Sequence, residues 1–263
     1  MIEDIRYSKV NWGLFVIAII LMIAMLFLFD YAVAEGRDPK ATSVAEKTWG
    51  AMGGIDAWKA VAAIRFNFQV EQEGQPPRAA KHLWDRRNGR DHVEGKTRDG
   101  KQMVVWVHLG DKTGAAWADG KKLQGTEEKD ALSWAYQRWV NDTYWLIMPF
   151  KLLDSGVNLK YEGERDGYDV LHLRFEKVGL TPGDQYWAYI NKNTGLMDRW
   201  EYLLQDEKAK ESWNWVDWTD YGKLKLSNRK ISADQKTAIH FVPLQIMDSA
   251  DAAYFSDQLK PLD

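Results

Sequence analysis

The chain has 263 residues, 45% of them hydrophobic, with 35 Lys+Arg against 38 Asp+Glu and no Cys. That length suits one domain with a substantial core, and a net charge of −3 excludes both a disordered chain and a basic nucleic-acid binder. The lack of Cys excludes disulfides, thiolate metal sites, iron–sulfur clusters and a Cys nucleophile, leaving 14 Trp as the compositional anomaly.

Trp12 to Phe29 form an uncharged run of 18 residues. As a helix it measures about 27 Å, close to the roughly 30 Å of a bilayer core. Arg6 and Lys9 precede it, while Asp30 and Glu35 follow, so the positive-inside bias puts residues 1–11 in the cytoplasm and the bulk of the chain in the periplasm. Two readings stay open. The length of the run, with Glu3 and Asp4 offsetting Arg6 and Lys9, favours a single-pass signal-anchor over 12–30 in a bacterial inner membrane. Ala32-Val33-Ala34 also fits a small-x-small cleavage site, which would release a soluble periplasmic protein after Ala34. No Cys follows, so a lipoprotein signal is excluded. Residues 31–41 read as a polar linker and 42–263 as one extracytoplasmic domain.

In that domain Thr42 or Ser43 can cap a helix with Val44, Ala45, Thr48, Trp49 and Met52 on one face, ended by Gly53-Gly54. Ile55–Val61 can form a further helical turn. Period-two alternation then begins: Ile64, Phe66, Phe68 and Val70 point one way, Arg65, Asn67, Gln69 and Glu71 the other. Further strands are expected near 79–86, 91–97, 102–109, 114–119, 157–163, 168–176, 184–191, 196–203, 211–218, 224–232 and 238–246. Asn88-Gly89, Asp166-Gly167 and Asn191–Gly195 supply turns. One helix interrupts the series over 127–147, with Leu132, Ala135, Trp139, Thr143 and Leu146 on its apolar stripe and Pro149 beyond it. The fold class is mainly β: a large curved antiparallel sheet with helices on its concave face.

Chemical signatures are sparse. No nucleophile elbow, phosphate loop, dinucleotide fingerprint, zinc helix or calcium loop occurs, so we expect neither an enzyme nor a cofactor or metal site. A two-residue loop at Asn88-Gly89 would pair Asp85 with His92, Trp84 with Val93 and His82 with Gly95. It puts His82 and His92 on opposite faces and makes His92–Asp85 a cross-strand polar pair. Segment 78–101 carries eight basic residues against four acids. Within it Arg86, Arg87 and Arg90 are candidates for an anion or lipid head group, against a plain solvated hairpin. Phe66, Phe68, Trp139, Trp145 and Trp187 are candidates either for core or for the lining of an apolar ligand site. Trp213 and Trp215 share a strand face, with Trp218 on the other.

Several strings are distinctive together: Asn141-Asp142-Thr143-Tyr144-Trp145-Leu146-Ile147-Met148-Pro149-Phe150-Lys151-Leu152-Leu153-Asp154-Ser155-Gly156-Val157, Gly53-Gly54 with Ala57-Trp58, the Phe66/Phe68 strand, His82-Leu83-Trp84-Asp85, and Val178–Asp184. With these, residues 42–247 resemble a family of uncharacterised bacterial exported proteins similar to the LolA-like outer-membrane lipoprotein-sorting fold. The resemblance implies an incomplete antiparallel β-barrel (a half-barrel) lidded by helices in a Gram-negative-type periplasm. Its better-known members carry lipoprotein acyl chains. Two non-catalytic roles follow as expectations. One is an accessory or scaffold subunit of an inner-membrane complex for transport, respiration or photosynthesis, since a tethered domain cannot ferry cargo far. The other is a periplasmic carrier holding lipoprotein acyl chains or other lipid.

Overall fold

A computed structural model of the chain describes residues 38–175 and 183–262. The apolar run Trp12–Phe29, its flanks, the Ala32-Val33-Ala34 motif and part of Val178–Asp184 lie outside the described residues. Among the described residues no helix is long and apolar enough to cross a membrane.

Helix α1 (Pro39–Ala51) buries Ala41, Val44, Ala45 and Thr48. It begins ahead of the expected Thr42 or Ser43 cap because Pro39 has its φ already set for a first turn and no N–H to leave unpaired. Gly53, at φ 102, ends this segment against the chain: a Cβ there would lie 1.8 Å from the Lys223 carbonyl oxygen. Helix α2 (Ile55–Ala60) follows and buries Trp58.

The strands form two meanders. The first is β1 (Ala63–Gln72), β2 (Arg78–Asp85), β3 (Arg90–Lys96), β4 (Gln102–His108), β5 (Gly114–Ala118) and β6 (Lys121–Lys122). The second is β7 (Val157–Arg165), β8 (Tyr168–Phe175), β9 (Gln185–Asn191), β10 (Met197–Leu203), β11 (Glu211–Tyr221), β12 (Leu224–Ser232), β13 (Thr237–His240) and β14 (Leu244–Met247). Together they make one open sheet of 14 strands in the order β6-β5-β4-β3-β2-β1-β13-β12-β11-β10-β9-β8-β7, with β14 also on β1. The meanders meet at β1. Its Gln69–Gln72 end pairs with β13 and its Ala63–Phe66 end with β14. The single strand expected over 238–246 is therefore two, divided near Pro243, which has no N–H to give a ladder. Helix α3 (Gly125–Ile147) connects β6 at one edge of the sheet to β7 at the other.

Turn chemistry decides the registers. Asp166 and Gly167 both take positive φ, 52 and 85, as a two-residue turn of the primed type requires, and Arg165 faces Tyr168. At Asn88-Gly89 only Gly89 does so, with φ 61. The hairpin there closes through a longer loop that pairs Asp85 with Arg90, Leu83 with His92 and His82 with Val93. The cause is Asp85: its carboxylate accepts from the Asn88 backbone N–H at 3.2 Å and from the Asn88 side chain at 2.8 Å, and it pairs with Arg90 at 2.5 Å. Asp85 therefore holds the turn instead of meeting His92. The slip is two residues, so alternation survives, with His82 and His92 on opposite faces.

Helices α1, α2 and α3 pack on one face, here called inner. Leu146 and Ile147 of α3 and Trp58 of α2 join Ile64, Phe66, Phe68, Trp84, Trp213 and Phe241. Ala41, Val44 and Ala45 of α1 cover Leu159, Leu171, Ala188, Trp200 and Trp215. Ala131, Leu132 and Ala135 of α3 cover Val93, Val105, Val107 and Ala116. The outer face of β3 and β4 is covered by the C-terminal segment, where Phe255 and Leu262 pack on Leu83. Edge strand β6 is two exposed lysines, and edge strand β7 shifts register between Tyr161 and Gly163. Both devices discourage pairing with another sheet.

Candidate functional site

The inner face carries a layer of aromatic rings under α3. Phe68 meets Phe241 edge-on at 5.5 Å, and Phe66 stacks on the His82 ring at 4.7 Å. From α3, Trp139 meets Trp84 at 5.8 Å and Trp145 meets Trp213 at 5.0 Å. Four of the five candidate lining residues, Phe66, Phe68, Trp139 and Trp145, thus lie in one layer. Trp187 does not. It sits on the outer face with Val170 and Tyr189, stacked on His172 at 4.7 Å and capped by Lys210 at 3.2 Å. Near it Asn158, Lys160, His172 and Arg174 line a shallow groove whose His172 is already paired with Glu162 at 3.1 Å. Trp218 also departs from simple alternation. Asp217 takes φ 55, and Trp218 packs with the inner clusters, 6.2 Å from Trp215.

The three candidate arginines do not form an anion cradle. Arg86 turns inward, donates to the carbonyls of Trp58 and Val61 at 2.7 and 2.8 Å, and lies 3.7 Å over the Trp58 ring. Burial pushes its pKa down to about 10. Arg90 is held by Asp85 and covers Phe255 at 4.2 Å. Arg87 alone is exposed.

Two buried basic groups on the inner face were not among the candidate site residues of the sequence argument. The first is His82, which is fully buried. Its Nδ1 lies 2.9 Å from Asp91 Oδ2 on β3, and its Nε2 lies 3.0 Å from Asp142 Oδ2 on α3. Arg138, one turn earlier on α3, reaches Asp142 at 2.6 Å. Burial alone would lower the His82 pKa, but the two carboxylates overcome it and raise it to about 9. Burial pushes Asp91 up as well, against the pull of His82. The His82 shift keeps the imidazolium charged at neutral pH. The cluster fastens α3 to β2 and β3. Asp142 lies on the same helical stripe as Trp139 and Leu146, and His82 shares the inward parity of Trp84. An acid on a buried stripe opposite an inward His was the available signal.

The second is Lys230 on β12, also fully buried. Its Nζ donates to the Ser227 carbonyl at 2.6 Å and lies 4.3 Å from the ring centroids of both Trp215 and Phe241. Among the described residues no carboxylate pairs with it, and burial pushes its pKa well below the usual lysine value. Beside it, the indole N–H groups of Trp215 and Trp218 are buried without an acceptor, as is that of Trp139 on α3. A buried donor without a partner costs about 1–3 kcal/mol. Several in one layer mark it as a place where hydrogen bonding is incomplete.

No family model matches the chain, and no curated protein sequence matches it. Among solved structures, a DUF1329 family protein from Desulfovibrio piger ATCC 29098 matches at TM-score 0.50 and 14% identity, over 84% of this chain and 98% of that one. The two chains share a fold. A LolA superfamily protein from Nitrosomonas europaea matches at TM-score 0.47 and 10% identity, over 83% of this chain and 99% of that one. A putative outer membrane lipoprotein-sorting protein domain from Vibrio parahaemolyticus matches at 0.44 and 10%, over 81% and 95%.

Proposed function

We propose that this chain is a non-catalytic, extracytoplasmic acyl-binding module, held at the inner membrane by Trp12–Phe29, whose inner face takes up a lipid chain when α3 lifts. The observation that carries this reading is the aromatic layer beneath α3. It runs from Phe66 and Phe68 through Trp84 and Trp213 to Trp139 and Trp145 of the covering helix, which the His82–Asp142 contact ties to the sheet. An acyl chain exchanged for those ring contacts keeps the apolar area buried, at roughly 25 cal/mol per Å². The half-barrel with a concave, lidded face and the carriage of acyl chains are what the LolA-like resemblance implies. The surface supports this role over that of a scaffold subunit. The large exposed apolar side chains among the described residues are Leu204, Val242 and Leu259, single residues from three separate segments.

The test uses the full chain, extracted from membranes into a fluorinated surfactant that does not compete for acyl sites. Native mass spectrometry should show a co-purifying lipid mass, and dibrominated acyl probes should quench tryptophan emission saturably. An empty protein in repeated preparations, with quenching that only follows bulk partitioning, would overturn the reading.

A further inference from the structure

We propose that the ligand of the inner face bears a free carboxylate, and that the Lys230 ammonium and the Trp215 indole N–H receive it. The inference rests on the acyl-binding reading and narrows it to long-chain monocarboxylates, that is, free fatty acids. The acyl chains of a lipoprotein are esters and amides and carry no such group.

The argument begins from placement. Lys230 faces Trp215 directly across the β11–β12 pair, and its amine lies between Trp215 of the α1-covered cluster and Phe241 of the α3-covered cluster. It therefore stands at the seam of the two apolar layers, where the polar end of a chain lying along either one arrives. An ammonium has three donors, and the Ser227 carbonyl takes one. The adjoining Trp215 and Trp218 indoles, 6.2 Å apart, add buried donors that lack acceptors. Everything unmatched here is a donor. A carboxylate offers two oxygens with about four acceptor sites and the missing opposite charge. A phosphate head group would bring more charge and bulk than one amine and two indoles can satisfy.

The contrast with His82 argues against a merely architectural purpose for the charge. Where this fold uses a buried cation to fasten elements, it surrounds it with Asp91 and Asp142. Nothing comparable meets Lys230. The carboxylate oxygens accept from the ammonium N–H groups that the Ser227 carbonyl leaves over. A neutral pair then lies in the apolar layer.

The experiment titrates the full chain in fluorinated surfactant with 9,10-dibromostearic acid and with its methyl ester, reading tryptophan quenching. The acid should bind about ten- to a hundredfold more tightly than the ester, the range for a charge-assisted hydrogen bond. Lys230→Met should abolish that preference, so that acid and ester bind with equal affinity. Methionine matches the space and removes a buried amine, so an unchanged near-ultraviolet circular dichroism spectrum shows that the fold is kept. Trp215→Phe, which deletes only the indole donor, should weaken acid binding a fewfold. Equal affinity for acid and ester in the wild type, or a preference that survives Lys230→Met, overturns the carboxylate assignment but leaves acyl binding standing. Failure of both probes to quench overturns both.

Discussion

His82 and Lys230 are both buried to zero exposure on the inner face of one sheet, yet the protein treats them in opposite ways. His82 touches a carboxylate with each ring nitrogen, and a guanidinium completes the cluster. Lys230 has one backbone carbonyl and two aromatic rings. A saturated buried charge fastens helix to sheet. An unsaturated one destabilises the free protein unless something else completes it. The two sites therefore separate architecture from binding within one apolar layer.

The largest expected effect breaks the first half of that comparison. His82→Leu leaves Asp91 and Asp142 facing each other without the imidazolium and should cost about 3–5 kcal/mol in urea unfolding followed by tryptophan emission. A loss below about 1 kcal/mol would show that α3 is seated without the cluster. Alkaline pH should act on the same group more mildly. The folded pKa of about 9 lies above the ordinary 6.5, so the contribution is full below pH 6.5 and is lost as the pH rises through 9. The shift corresponds to about 3 kcal/mol at most. In the His82→Leu variant that alkaline decline should vanish, and a curve of unchanged shape would assign it elsewhere.

Arg86→Ala should cost about 2 kcal/mol, since it strands the Trp58 and Val61 carbonyls and uncovers the Trp58 ring. Lys230→Met sharpens the second half of the comparison through its sign. Removing an unpaired buried amine should leave stability within about 1 kcal/mol or raise it. A loss as large as that of His82→Leu would mean that Lys230 is architectural too. Smallest of all, Arg87→Ala on the exposed loop should stay within about 0.5 kcal/mol.

How much could be read beforehand follows from contrast in the sequence. Strands such as β1 alternate sharply between Ile64, Phe66, Phe68 and the polar residues between them, and α3 repeats its apolar stripe and stops before Pro149. Those elements were legible. The β2–β3 register was not, because Asn88-Gly89 signals a two-residue loop while Asp85 captures Asn88 and lengthens it. Lys230 was hidden for a related reason. Arg229 points outward beside it, so two adjacent basic residues give alternation nothing to separate. Trp187 was assigned to the lining group by its aromatic character, although strand parity sets it apart from Tyr186 and Ala188 on the inner side. The His82–Asp142 contact spans 60 residues and joins a strand to a helix. Periodicity places each partner on a buried face but does not say that the faces meet.

The two meanders joined only along β1 also dictate an order of assembly. Strands β1 to β6 can pair as successive hairpins as soon as they emerge, but the far edge of β1 waits for residues 237–247. Until those arrive, Ile64, Phe66, Phe68 and Val70 lie on a strand with one open edge, the arrangement most prone to recruit a strand from another chain. The last short strands of the chain are thus the ones that seal the first. A chain shortened before Thr237 should aggregate rather than yield a smaller soluble domain.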